Sequence, residues 1–594
     1  MSDSYVQKPA GDNNMRSSGT GNAVQNLLVA LSVAGLWLLV TAAEPQGGYT
    51  DEDYSYPADY WNKYRKYALS VGAVGLGLGL IALLMTRFKP DMSDKKMLSI
   101  KSTDVSVLGA FSIFFVLWWG VGAGVCTFKS PFAPDGTSAV AAGNGYFSVW
   151  TGFLASLLLL SKTMSIGDAK SLKGRAAGLF FAAVMLLIAT IKYVDPNDGV
   201  EFPSAGPQTQ TTDDIAIFGM ASAAATILIT ILIIFADMKE SAIQTLIPIL
   251  VLLWAATAGV LTFRSGSPFT GMNNGYFSSW FGFFMAAQMT GSASGPLNSN
   301  IFQILALGVV VVLSAYFYQG AVTTPVAAGV DMVYQDNIVP DRQAYMIAVG
   351  AVAGFLAVFH YWCSVFKPAL LETVLFNVAD SPVTMRRAIA IFLVPWTAAG
   401  AIVGTFNLLG GGIFAAPATT PNGYFGSWML LVACLAHLGN EAEGYAESAR
   451  AVSTADALSS TMFAFLFASV ILLGSLLQEG IIQDGPSADT SGVFGEYVYA
   501  LVLVCISAFV ALYHLVLKEP LPLVNKIATP LLALGWLGAA GVLTFRDSAG
   551  FSVAGNGFFA VYVGLFLSFA LVGKVHLSPA RDDPPAADAV ISAA

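Results

Sequence analysis

The chain has 594 residues, of which 56% are hydrophobic and only 11% charged, with a formal net charge of −9. Soluble domains carry about 25% charged residues, and no compact water-soluble core absorbs such an apolar excess, so the composition points to a lipid bilayer. An acidic balance with dispersed Lys and Arg excludes nucleic acid as a partner.

Residues 1–22 are polar and read as a disordered cytoplasmic tail. Unit 1, residues 23–163, holds apolar runs from Ala23 to Ala43, Tyr67 to Thr86, Val105 to Cys126 and Phe147 to Lys162. Unit 2, residues 164–298, holds Ala176 to Val194, Ile215 to Ala236, Ile243 to Phe263 and Phe277 to Thr290. Unit 3, residues 299–442, has Ile301 to Tyr318, Ala344 to Phe366, Ala388 to Phe406 and Phe425 to Leu438. Unit 4, residues 443–577, has Ser459 to Leu477, Tyr497 to Leu517, Ile527 to Phe545 and Phe559 to Leu577, and residues 578–594 form a second polar tail. A helix needs about 20 residues to cross a hydrocarbon core, and backbone groups in lipid have to be satisfied internally. The expected fold is therefore an all-α polytopic membrane protein of about 16 transmembrane helices, arranged as four tandem four-helix units. Thr41-Ala42-Ala43 also fits a signal-peptide cleavage site that would leave fifteen spans, although the 22-residue polar lead favours retention of the first helix.

A short polar-aromatic element precedes the last helix of each unit: Asn144-Gly145-Tyr146-Phe147, Asn274-Gly275-Tyr276-Phe277, Asn422-Gly423-Tyr424-Phe425 and Asn556-Gly557-Phe558-Phe559. The spacings are 130, 148 and 134 residues, the signature of an internal repeat. Asn-Gly suits a tight turn with positive φ. Tyr146 and Trp150, Tyr276 and Trp280, Tyr424 and Trp428, and Phe558 and Tyr562 are four residues apart and share a helix face. Two readings follow: a turn plus an aromatic belt with polar tips near water, or an outer recognition patch presented four times.

The third helix of each unit ends alike, with Trp119 before Thr127-Phe128, Trp254 before Thr262-Phe263, Trp396 before Thr405-Phe406, and Trp536 before Thr544-Phe545. From that Thr to the following Asn there are 17, 12, 17 and 12 residues, so units 1 and 3 match, as do units 2 and 4. Lys129, Arg264 and Arg546 follow directly, with Asn407 in unit 3, and read as snorkelling cations. Gly75 and Gly79, Gly120 and Gly124, Ala255 and Gly259, and Gly400 and Gly404 have small-xxx-small spacing, predicting close helix approach.

No Asp, Glu, Lys or Arg falls near the centre of any predicted span, which disfavours a coupled pump. With both termini cytoplasmic, all but eight of the 28 Lys and Arg lie inside, the eight being Lys63, Arg65, Lys66, Lys129, Lys192, Arg264, Arg342 and Arg546. The outer first loops are acidic, as at Asp51, Glu52 and Asp53, without the ligand spacing of a calcium loop. Cys126, Cys363, Cys434 and Cys505 lie in apolar runs, and His360, His437, His514 and His576 near inner helix ends. No phosphate loop, dinucleotide fingerprint, nucleophile elbow or zinc-protease pattern is present, so no catalytic residue, cofactor or metal is predicted.

Four helices per unit, short loops and both ends inside resemble MARVEL-type tetraspan proteins of membrane apposition and vesicle traffic, a likeness of topology spanning Ala23 to Leu577. The resemblance implies no functional residue. The expected function is a non-enzymatic protein that organises or shapes a membrane, or scaffolds membrane or extracytoplasmic partners. The alternative is an uncoupled channel or facilitator for a small solute, since internal repeats are common in transporters.

Overall fold

The computed structural model describes residues 15–43, 58–100, 103–128, 143–164, 172–191, 193, 210–236, 238–264, 267–290, 300–318, 335–378, 381–406, 413–414, 420–446, 453–478, 494–517, 522–545, 551 and 554–577. The acidic first loops and both tails lie largely outside these residues.

Long apolar stretches rich in Ala, Leu, Val and Ile form helices. In chain order they are α1 (Met15–Ala43), α2 (Ala58–Phe88), the short α3 (Pro90–Asp94), α4 (Val107–Phe128), α5 (Asn144–Met164), α6 (Leu172–Ile191), α7 (Gln210–Phe235), α8 (Glu240–Phe263) and α9 (Asn274–Thr290). They continue with α10 (Asn300–Tyr316), α11 (Gln335–Phe366), the short α12 (Pro368–Leu371), α13 (Met385–Thr405), α14 (Pro421–Ala446), α15 (Ser453–Gln478), α16 (Phe494–Val516), α17 (Pro522–Thr544) and α18 (Asn556–Val572), which ends in a π turn, Gly573–Leu577. Among the described residues, 11 helices are long and apolar enough to cross a membrane, with mean hydropathy of 1.7 to 2.4 over the best window. This is an all-α polytopic membrane protein.

Two short hairpins lie between the helices. β1 (Lys96–Ile100) pairs with β2 (Thr103–Ser106), and β3 (Val374–Val378) with β4 (Ser381–Thr384), both antiparallel. Their registers are identical: Lys96 faces Ser106 and Leu98 faces Val105, while Val374 faces Thr384 and Phe376 faces Val383, with one irregularity at the same place in each. These strands are of four or five residues, and the first begins at Lys96, directly after Lys95.

The chain divides into two compact units, Met1–Glu441 and Ala442–Ala594. In the first, α1 packs on α2 and α5, α4 on α5 and α2; α6 packs on α7 and α9, α8 on α9 and α7; α11 packs on α10 and α13. In the second, α15 packs on α16 and α18, and α17 on the same two helices. Leu28, Leu31 and Leu38 of α1 are fully buried beside Phe115 and Trp119 of α4, so α1 is an integral part of its core.

Close helix approach occurs, in part at the expected glycines: a Cβ on Gly35 would lie 3.0 Å from the backbone of Gly75, and one on Gly79 would lie 3.4 Å from Ser32 N. A Cβ on Gly72 would lie 2.7 Å from Leu39 N and 2.8 Å from Gly35 O, and one on Gly308 would lie 2.8 Å from Gly350 O, so α1–α2 and α10–α11 meet backbone to backbone. Other predicted positions receive side chains, Gly120 that of Phe153, Gly400 that of Val349 and Gly404 that of Met346; Gly75 also takes the ring of Trp119, and Gly124 and Gly259 face open space. Without a hydrophobic drive between helices in lipid, such fits are what association rests on.

Candidate functional site

Every Asn-Gly segment sits in the first turn of a helix: Asn144, Asn274 and Asn556 open α5, α9 and α18, and Asn422 is the second residue of α14. The expected positive φ is not found at Gly275, Gly423 or Gly557. These glycines are required for another reason. The ring of Phe269 lies on Gly275, that of Phe414 on Gly423 and that of Phe551 on Gly557, each so close that a Cβ would enter it. Each Phe belongs to the preceding loop, which returns to its own third helix, with Phe414 N–H donating to Gly404 O at 2.8 Å and Phe551 N–H to Leu543 O at 3.2 Å.

The Asn side chains join helix groups. Asn274 Nδ2 donates to Thr127 Oγ1 at 2.9 Å, and Asn274 Oδ1 accepts from Tyr146 O–H at 2.9 Å. One segment further on, Asn422 Nδ2 donates to Thr262 O at 2.9 Å and to Thr262 Oγ1 at 3.2 Å, while Asn422 Oδ1 accepts from Trp280 Nε1–H at 2.9 Å. Thr127 and Thr262 each give their own hydroxyl hydrogen to the carbonyl four residues back, at 2.6 Å, which leaves the oxygen lone pairs for the amide. The expected Thr and Asn sites thus meet, but each Asn binds the third helix of the preceding group rather than of its own. A third Thr, Thr544, lies 3.2 Å from Tyr562 O–H inside the second compact unit.

Aromatic rings close the same seam. Phe147 and Phe277 have centroids 6.3 Å apart, and Phe277 and Phe425 6.0 Å apart, so the fourth residues of three segments form one row. The third-helix ends contribute as well: Phe263 meets Trp280 and Phe406 meets Trp428, both edge-on at 6.3 Å. Phe128 packs on the core of the next helix group, and Phe545 is buried. Tyr146, Tyr276, Tyr424 and Phe558 are 2–3% exposed. The tyrosines therefore lie inside the protein, and the Tyr146 hydroxyl bonds an amide, whereas a belt or an outer patch would leave polar tips at water.

Below this row is a cavity of about 350 Å³ whose wall is almost wholly hydrocarbon, formed by Trp150, Phe181, Met185, Phe277, Phe425 and Met429 among others. Arg264 closes α8 and lines a separate concavity with Tyr318 and Asn422, while Lys129, Asn407 and Arg546 lie outside the described residues.

The tryptophans sort differently from their apparent sequence alignment. Trp119, Trp254 and Trp536, each eight residues before the Thr, rest their rings on Gly152, Gly282 and Gly564. Trp396 is nine residues before Thr405 and corresponds to Trp118: the Nε1–H groups of Trp118 and Trp396 donate to Val71 O at 3.3 Å and Val349 O at 3.2 Å. Thr397 occupies the ring-bearing position in that group, and Leu430 replaces the glycine that would receive the ring. Trp254 and Trp536 instead donate to Thr226 Oγ1 and Ser507 Oγ, both at 3.0 Å.

His360 and His437 come together with ring centroids 5.2 Å apart and planes at 88°. His514 pairs with Asn525 at 3.2 Å, and His576 lies in the π turn. Among the described residues no three His, Cys, Asp or Glu side chains converge as a metal site. The loop phenylalanines and the cross-group direction of the Asn bonds were missed in sequence. A Phe-to-Gly spacing of six residues shared by Phe269 and Gly275 and by Phe551 and Gly557 was the available signal for the former, whereas Phe414 lies nine residues before Gly423.

No family model matches the chain, and no curated protein or solved structure does so either. The MARVEL-type resemblance therefore rests on topology alone.

Proposed function

We propose that this protein is a non-enzymatic, multi-pass membrane protein of four tandem four-helix units, which organises or shapes a membrane or scaffolds membrane or extracytoplasmic partners. The observation that carries this reading is the two-way bonding of Asn274 and Asn422, which directs the repeated polar element to hold helix groups to one another. The seam holds a cavity whose wall is almost wholly hydrocarbon, which gives a polar solute little to replace its hydration.

Two further relationships support the arrangement. Val71, Pro90, Trp118, Thr127 and Asn144 become Val349, Pro368, Trp396, Thr405 and Asn422 on adding 278, and Trp254, Thr262, Phe269 and Asn274 become Trp536, Thr544, Phe551 and Asn556 on adding 282. A pair of units written twice accounts for both offsets. Asn144 and Asn274 also belong to one seam, so the chain between them returns to its starting side; α6, α7 and α8 are long enough to cross, and α5 supplies the fourth crossing. Sixteen crossings with both termini cytoplasmic are part of this proposal, a reading supported by the placement of Lys and Arg in the sequence.

The purified protein in liposomes tests the function. Solute flux is expected to stay at the lipid baseline while protein clustering or vesicle shape, seen by electron microscopy, changes with protein density. Flux that scales with protein, on vesicles of unchanged shape, rejects the proposal in favour of a facilitator.

A further inference from the structure

The two hairpins have the same register, the same irregularity and the same flanks, yet no part of the seam uses them. Each is fixed in depth by its neighbours. β1–β2 joins α2 to α4, and β3–β4 joins α11 to α13, all four being helices able to cross a membrane. A segment a few residues from two such helix ends lies at the bilayer surface.

What the hairpins present there is apolar. Phe88, Met92, Met97 and Leu98 are exposed around the first, and Phe366, Val374, Leu375 and Phe376 around the second, with Met97 64% and Phe376 53% exposed. Apolar side chains facing outward on a short sheet at the headgroup level fit the boundary between headgroups and acyl chains.

The two differ in charge chemistry. Around the first, Arg87, Lys89, Lys95 and Lys96 outnumber Asp91, Asp94 and Asp104, and the side chains of Arg87, Lys89 and Lys95 make no hydrogen bond or ion pair among the described residues. Around the second, Lys367 is a single exposed cation, and the fold itself engages the arginines: Arg386 pairs with Glu372 at 2.8 Å, and Arg387 Nη1 donates to Pro382 O at 3.0 Å.

We propose that both hairpins are interfacial feet inserted into the lipid headgroup layer, and that the first selects anionic lipid through Arg87, Lys89 and Lys95 while the second anchors by its apolar side chains regardless of headgroup charge. Juxtamembrane cations attract anionic lipid by about fivefold in local enrichment per residue, falling off with salt. This rests on the transmembrane reading of α2, α4, α11 and α13, and is independent of whether the protein acts as a scaffold.

The test uses the full-length chain with Cys505→Ser, since the other three cysteines are buried. An environment-sensitive fluorophore is placed at Met97→Cys or Leu375→Cys in phosphatidylcholine vesicles, with and without phosphatidylserine. The label at 375 is expected to be blue-shifted and quenched by shallow brominated lipid in both membranes; the label at 97 should deepen only with phosphatidylserine. Lys89→Glu with Lys95→Glu should abolish that dependence, and Lys89→Arg with Lys95→Arg should retain it, both with an unchanged size-exclusion profile. Labels that stay in a polar environment in both membranes overturn the proposal. So does a position-97 response indifferent to phosphatidylserine, and so does shielding seen only in native membranes, which indicates a protein partner instead.

Discussion

Tyr146 donates its phenolic hydrogen to the side-chain carbonyl of Asn274 over 2.9 Å, across 128 residues of chain, while the other end of the same amide holds Thr127. One buried asparagine thereby joins the end of α4, the start of α5 and the start of α9. An amide suits this position because it is donor and acceptor at once, and carries no charge that burial would penalise.

A double-mutant cycle measures the link. Tyr146→Phe keeps the ring and removes the hydroxyl; Asn274→Ala removes the amide and leaves Tyr146 and Thr127 without it. Hydrogen bonds between membrane helices average about 0.6 kcal/mol and reach about 1.7 kcal/mol in such cycles, and a coupling in that range is expected here. Additive effects of the two substitutions in a detergent unfolding titration would show that the bond does not form. The corresponding cycle at the next seam is Trp280→Phe with Asn422→Ala.

The motif glycines make a second prediction, with an internal control. At Gly275 and Gly557 a methyl group meets the ring of Phe269 or Phe551, whereas at Gly124 and Gly259 it meets nothing within 4 Å. Gly275→Ala and Gly557→Ala are expected to destabilise by about 1–3 kcal/mol, as overpacking does. Gly124→Ala and Gly259→Ala should fall within about 0.5 kcal/mol of the parent. Equal effects at all four positions in thermal unfolding would refute ring contact as the reason for glycine.

The sequence made the helices legible because hydropathy is a one-dimensional signal: the ends of α4, α8 and α13 lie within a few residues of their apolar runs, although α2 begins nine residues before its own. The hairpins, the Gly35–Gly72 and Gly308–Gly350 crossings and the Trp118 and Trp396 bonds recur in the first and third helix groups, the two that share the 17-residue spacing. What the sequence hid was direction in space. Tyr146 and Trp150 are as amphipathic as any interfacial pair, and nothing local distinguishes a ring facing headgroups from one facing the next helix group. Asn-Gly misled for a related reason, since its glycine is selected by a ring brought from another segment and not by its own φ.

The exchange of Trp and Gly for Thr and Leu supplies a third prediction. Trp119 lies on Gly152, and the matching positions in the third group are Thr397 and Leu430, both buried. Trp119→Thr alone opens a cavity and is expected to cost about 3–5 kcal/mol, and Gly152→Leu alone forces a side chain into the indole. The combination Trp119→Thr with Gly152→Leu should be more stable than either single variant, because the leucine fills part of the vacated volume. A double variant no better than the worse single one, in the same unfolding assay, rules out the two residues as a packing pair.

The histidine pair is the place where the fold is least satisfied. Among the described residues, both nitrogens of His360 and Nε2 of His437 are buried without a hydrogen-bond partner, although the rings sit edge-to-face at 5.2 Å. An orphaned buried polar group carries a desolvation penalty of about 1–3 kcal/mol, and replacing it by an apolar group of similar shape is neutral or stabilising. His360→Phe preserves the edge-to-face contact and removes two of the three orphaned nitrogens, so its unfolding midpoint should equal or exceed that of the parent. His437→Phe should behave in the same way. A fall in the midpoint for either variant would mean that the imidazoles have a partner in the membrane, and a parent midpoint that rises on titration with a soft metal ion, but does not in His360→Phe, would identify that partner as a metal.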